Sequence, residues 1–216
     1  MSSLLIATAA ASGLVAIASD WRGQRQRLFY FAKPLTTVLI VVLAWVSLSA
    51  LPQYRAWVMA ALLCCLTGDI ALMFKGTRPF VLGLAAFLIG HLLLIAAFVT
   101  GLPLTPLQVP LPPLVAGAAF LLLVAGYAAW LLPRTGKLKP AVLLYLSVLS
   151  LMVLAALLKS ALGERAADDW VLLAALLFAL SDAVLAYRKF VAAPWWGQPA
   201  TLLSYYLAIG LIAWAH

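Results

Sequence analysis

The sequence predicts an all-α integral membrane protein with eight transmembrane helices, and three observations lead there. Of 216 residues, 67% are hydrophobic and 9% charged, and the mean hydropathy is +1.13. Soluble domains average about 45–50% apolar and about 25% charged, so a soluble fold could not hide this surface. The apolar residues fall into continuous Leu- and Ala-rich runs, near the ~20 residues that cross a bilayer core. These runs lack the alternation that barrel strands require. The chain is too short to add a sizeable soluble domain, so residues 1–216 read as a single transmembrane helical domain.

The first run, about 3–19, has no basic residue before it; Arg22, Arg25 and Arg27 follow it. A cleaved signal has the opposite order, so this run reads as a retained helix. The second, about 34–51, opens at "KPLTT", since proline suits the first turn of a helix. The third, about 56–74, contains "CCLTGDIALMF". The fourth, about 79–100, carries Gly83, Phe87 and His91 at i, i+4 and i+8, on one face. The proline-rich "GLPLTPLQVPLPP" leads into the fifth, about 111–132. The sixth, about 140–159, opens at "KPAVL"; the seventh, about 169–187, contains "SDAVLAYR"; the eighth, about 196–215, contains "SYYLAIGLI".

The net charge of +8 is an orientation signal rather than a nucleic-acid footprint, because Lys and Arg sit in short loops between apolar runs. Eleven of the 14 fall in odd-numbered loops; Arg55, Lys159 and Arg165 fall on the other side. The odd loops are therefore expected in the cytoplasm and both termini outside, with a bacterial inner membrane as the setting. Trp21, Trp57, Trp170, Trp195 and Trp196 near span ends fit an interfacial belt. Cys64 and Cys65 are adjacent within a span and suggest packing rather than a disulfide framework or metal site.

Of the six acidic residues, Asp20, Glu164, Asp168 and Asp169 read as loop residues, and only Asp69 and Asp182 fall within spans. An ionisable group at mid-span costs at least about 2.5–3.5 kcal/mol on insertion scales, which makes it a functional candidate. Asp69 lies six residues before Lys75 and Asp182 six before Arg188. At about 1.5 Å per residue, both carboxyls sit roughly 9 Å from the cytoplasmic edge on parallel helices. Tyr145 reaches the same depth, Thr36 and Thr37 lie a turn beyond Lys33, and His91 and Tyr205 sit nearer the midplane. These residues describe a polar cavity in the cytoplasmic half, rimmed by Lys33, Arg188 and Lys189.

"GDIALMFK" and "SDAVLAYR" share small–Asp–x–x–Leu–x–aromatic–basic, and "KP" opens both the second and the sixth helix. The match suggests two parallel four-helix halves related by an axis near the membrane normal.

Taken together, "GDIALM", the Gly83–Phe87–His91 helix, "SDAVLAYRKF", the "KP" of helix 2 and the "YY" of helix 8 resemble the YhhN-type lysoplasmalogenase family. The resemblance implies hydrolysis of the sn-1 vinyl-ether bond of alkenyl lysophospholipids, giving a fatty aldehyde and a glycerophospho-head-group alcohol. It implies Asp69 and Asp182, with His91, as catalytic residues. Vinyl ethers are cleaved by acid: protonation of the β-carbon gives an oxocarbenium ion, and water completes the reaction. Two carboxyls in a poorly hydrated cavity, one protonated and one ionised, suit this chemistry as they suit glycosidases. The substrate-binding candidates are Lys33, Thr37, Tyr145, Lys189 and Tyr205, with Lys33, Arg188 or Lys189 meeting the phosphate. The expected partners are the lysophospholipid and membrane lipids, without nucleic acid. No cofactor or metal is expected, since a catalytic zinc wants three protein ligands and only one histidine lies within a span. The alternative reading is a proton-coupled transporter with Asp69 and Asp182 as a relay.

Overall fold

The computed structural model describes residues 2–20, 26–47, 52–102, 109–163, 165 and 167–214. Among the described residues are eight α-helices: α1 Ser2–Asp20, α2 Gln26–Ser47, α3 Pro52–Leu72, α4 Thr77–Val99, α5 Leu111–Leu131, α6 Lys139–Leu162, α7 Ala167–Phe190 and α8 Gly197–Trp214. Two short 3₁₀ turns join α5 to α6. Six of the helices, α2 to α7, are long and apolar enough to cross a membrane. In α1 the apolar stretch Leu4–Ser19 is shorter, and α8 has 18 residues. Trp21, Arg22, Arg25, Glu164 and His216 lie outside the described residues, as does the middle of the proline-rich loop.

Six helices close a ring. α2 packs on α3, α3 on α4, α4 on α6, α6 on α7, α7 on α8, and α8 back on α2. α1 lies outside against α2 and α8, and α5 lies outside against α6. A shift of four helices maps α2–α3 onto α6–α7, α3–α4 onto α7–α8, and α4–α6 onto α8–α2. The last correspondence joins helices distant in sequence, so it is more than chain neighbourhood. α3 and α7, which carry Asp69 and Asp182, stand opposite each other in this ring.

The sequence places the start of α2 at its "KP", but the helix begins at Gln26 and Pro34 lies inside it. The eight residues before Pro34 are mostly apolar or aromatic and extend the helix backward. Pro34 has a helix-compatible φ, but it lacks the N–H that would bond the Tyr30 carbonyl and its ring crowds that carbonyl. Lys33 is therefore not at a helix mouth; it is buried at 6% exposure.

Asp168 also departs from its expected loop. It lies in the first turn of α7 and is 6% exposed. Its Oδ1 sits 3.9 Å from Lys159 Nζ of α6. The same ammonium donates to the Thr100 carbonyl at 3.4 Å and lies 5.3 Å from the Tyr54 ring centroid. This cluster ties α3, α4, α6 and α7 together at the end opposite Lys75 and Lys189. Pairing explains why a carboxylate is tolerated there.

The α3–α4 seam is close because two positions lack a side chain. A Cβ on Gly68 would lie 2.6 Å from the Phe87 ring, and one on Gly83 would lie 2.8 Å from Leu72. Phe87 and Leu72 both line the interior site.

Candidate active site

A cavity of about 500 Å³ enters the ring at its basic end, between α2, α3, α4, α7 and α8. Lys75, Arg188 and Lys189 stand on its wall, and Asp69 and Asp182 both line it. The two intramembrane carboxyls thus reach one space from opposite helices.

Asp69 is held from two sides and is 1% exposed. Thr37 Oγ1 of α2 and Tyr205 Oη of α8 each donate to its Oδ2 at 2.7 Å. Lys33 Nζ lies 3.2 Å from Oδ1 and donates to the Asp69 carbonyl at 3.3 Å. The Tyr206 hydroxyl donates to the Lys33 carbonyl at 3.4 Å. A carboxylate with a buried ammonium and two hydroxyl donors is satisfied in its ionised form.

Asp182 has a different shell. Tyr145 Oη of α6 donates to its Oδ2 at 2.7 Å. His91 Nε2 of α4 lies 3.6 Å from the same oxygen, and neither His91 ring nitrogen has a hydrogen-bond partner among the described residues. The neighbouring Ser181 hydroxyl donates to the Thr201 carbonyl at 3.0 Å, pinning α7 to α8 at this level.

Aromatic rings fill the space between the two shells. Tyr205 meets Phe87 edge-on at 5.8 Å and Phe178 at 5.5 Å. Phe178 meets His91 at 4.7 Å, and His91 meets Tyr145 at 5.3 Å. Each contact is edge-to-face, the arrangement that ring quadrupoles favour. The packing limits rotation of the three side chains, Tyr205, His91 and Tyr145, that face the carboxyls.

The structure sorts the residues read from sequence. Asp69, Asp182, Lys33, Tyr205 and Lys189 line the cavity. Thr37 and His91 are fully buried behind the carboxyls. Tyr145 faces a second, narrower space. Lys33 is not the rim residue expected; its ammonium is committed to Asp69 inside the ring, so the rim cations are Lys75, Arg188 and Lys189, the last lying 4.5 Å from the Phe80 ring centroid. Sequence reasoning missed Phe178, Ser181 and Tyr206. Phe178 lies one turn before Asp182, a spacing that does place it on the same helix face.

The second space is a slot of about 40 Å³ between α3, α4, α6 and α7. It shares Leu72, Phe80, Phe87, Asp182 and Leu185 with the larger cavity. Asp182 therefore stands where a polar cavity meets an apolar slot.

Against known proteins, a family model described as the YhhN family matches residues 28–216. A protein named lysoplasmalogenase from Mycobacterium bovis is 36% identical over 157 residues, covering 68% of this chain and 57% of that protein. A protein of the same name from Mycobacterium tuberculosis matches to the same extent. Lysoplasmalogenase TMEM86B of Sus scrofa is 36% identical over 176 residues, covering 82% of this chain and 70% of that protein. The matched part of the chain thus spans 57% of the length of the mycobacterial relatives. No solved structure matches.

Proposed function

The chain belongs to the YhhN family, and we propose that it is a membrane lysoplasmalogenase. In this reading it hydrolyses the sn-1 vinyl ether of an alkenyl lysophospholipid, with Asp69 and Asp182 as an acid–base pair. The observation that carries the reading is that both carboxyls line one cavity from opposite sides of the ring. The names of the related proteins supply the substrate class.

The steps balance with these two groups alone. One protonated carboxyl gives its proton to the β-carbon of the vinyl ether, and the α-carbon becomes an oxocarbenium centre. Water adds to that carbon and passes a proton to the other carboxylate, leaving a hemiacetal. That second carboxyl then protonates the glyceryl ether oxygen while the first takes the hemiacetal hydroxyl proton. Aldehyde and alcohol leave, and both aspartates return to their starting states. A positioned carboxylate beside the oxocarbenium centre lowers the barrier electrostatically in a site that excludes bulk water.

The rim lysines and Arg188 suit the phosphate of a head group entering from the basic side. With the positive-inside reading, that side faces the cytoplasmic leaflet of a bacterial inner membrane.

The test is aldehyde release from 1-alkenyl lysophosphatidylethanolamine by the purified protein in detergent. Release by the native chain that is lost in both Asp69→Asn and Asp182→Asn, each still folded at the assay temperature, is the expected result. A folded native protein that releases no aldehyde from alkenyl lysolipids overturns it, and proton flux in proteoliposomes is then the measurement for the transporter reading.

A further inference from the structure

Resting on that reading, we infer that the slot between α4, α6 and α7 holds the alkenyl chain, so that Asp182 is the proton donor to the vinyl β-carbon and Asp69 the carboxylate on the water side. Three observations converge on this arrangement.

The slot has the chemistry of a hydrocarbon site. Leu84, Phe87, Val142, Leu146, Leu149 and Phe190 form half of its lining, and of its lining residues only Tyr145 and Asp182 have polar side chains. Those two are bonded to each other, so no polar group there asks for a ligand partner of its own.

The slot also adjoins the reaction cavity, with Leu72, Phe80, Phe87, Asp182 and Leu185 forming part of both walls. A larger apolar groove of about 420 Å³ runs along α1, α2 and α8, but neither aspartate lines it. A chain lying in that groove does not pass a carboxyl. A chain in the slot passes Asp182 on its way into the cavity.

Connectivity then fixes the roles. In O–CH=CH–R the β-carbon is on the chain side and the α-carbon on the oxygen side. With R in the slot, the β-carbon comes to the boundary, where Asp182 stands. The α-carbon, which water must attack, lies on the cavity side with Asp69. Asp69 has the Lys33 ammonium 3.2 Å away, a partner that suits the carboxylate accepting water's proton.

At about 40 Å³ the slot is nearly closed, with Phe80 and Phe190 edge-to-face at 5.9 Å. A chain must part these side chains to enter the slot. From Val142 to Leu149 the slot runs roughly 10 Å at 1.5 Å per residue. That is shorter than half of a ~30 Å bilayer core, so the tail of a long chain continues into lipid.

The test uses the native protein and a 1-O-alkyl lysophosphatidylethanolamine with a diazirine a few carbons beyond the ether oxygen. This saturated ether has no double bond to protonate, so binding is read apart from turnover. Photolysis and peptide mapping are expected to place adducts within 80–87 and 142–149, competed at least tenfold by unlabelled lysolipid. Adducts along α1 and α8, or uncompeted adducts spread over the lipid-facing helices, overturn the proposal. As a second measurement, Val142→Trp is expected to raise KM for long alkenyl chains about tenfold while leaving kcat within about threefold. An unchanged KM in a folded variant counts against the slot. Aldehyde release with adducts elsewhere removes the slot and leaves the hydrolase; adducts in the slot without aldehyde release remove the hydrolase and leave a lipid-chain site.

Discussion

Asp69 and Asp182 occupy matched places in two matched motifs, yet their surroundings have diverged. Each carboxyl receives a hydroxyl from the helix before its own: Thr37 of α2 for Asp69, Tyr145 of α6 for Asp182. Each also meets a ring from a third helix, Tyr205 of α8 or His91 of α4. Under the four-helix shift α2 maps to α6 and α8 to α4, so the two shells are built from corresponding helices. The difference is chemical. Asp69 has a buried ammonium at 3.2 Å and two hydroxyl donors, whereas Asp182 has one hydroxyl donor and opens onto an apolar slot. Two equivalent positions have become unequal, which is what acid–base chemistry with two carboxyls requires.

The strongest way to break the comparison is to neutralise each aspartate in turn. Asp69→Asn and Asp182→Asn are each expected to reduce aldehyde release by about 10²–10⁴-fold, the range of a positioned acid or base. Residual turnover in D₂O sharpens the result. Asp69→Asn should still deliver deuterium to one face of the aldehyde C2, trapped by reduction. Asp182→Asn should give a stereorandom product.

The next effect falls on stability. Lys33→Met leaves the Asp69 carboxylate buried without its cation, at a cost of about 3–5 kcal/mol. Its melting temperature in detergent should fall well below that of the Lys33→Met/Asp69→Asn double variant. Equal melting of the two would mean that the ion pair contributes little.

Smaller changes separate the hydroxyl donors. Tyr145→Phe and Tyr205→Phe each remove one hydrogen bond to a carboxyl, worth about 1.5–3 kcal/mol, or roughly 10–100-fold in rate if the bond matters in the transition state. Tyr205→Phe is expected to retain more activity, because Thr37 and Lys33 still hold Asp69. The smallest effect is expected for Cys64→Ala, a half-buried thiol outside both shells, whose melting temperature and activity should match the native chain within error.

Much of this was legible in the sequence, for a physical reason. Hydropathy marks where a chain can cross a membrane, and a carboxylate inside such a run is costly enough to mark itself. The α3 and α7 motifs and the Tyr145 depth followed from that. The order of helices around the ring did not, because helices that are apolar on every side reveal no preferred partner. Lys33 was misplaced because Pro34 reads as a helix start when the residues before it are aromatic rather than aliphatic. Asp168 was misplaced because it and Lys159 flank the same short loop, and each residue alone resembles an ordinary loop charge. Phe178 was unremarked because an aromatic among leucines carries no signal until its neighbours are known.

The junction at Asp182 has a consequence for what happens after the bond breaks. One face of the centre is wet and lined by cations, and the other is dry and hydrocarbon-lined. A lysolipid cut there yields one fragment that prefers each phase. The aldehyde would favour the apolar side, and the charged alcohol the cation-lined side. On the proposed reading the two fragments would part toward different phases, and solubility would help to clear the centre.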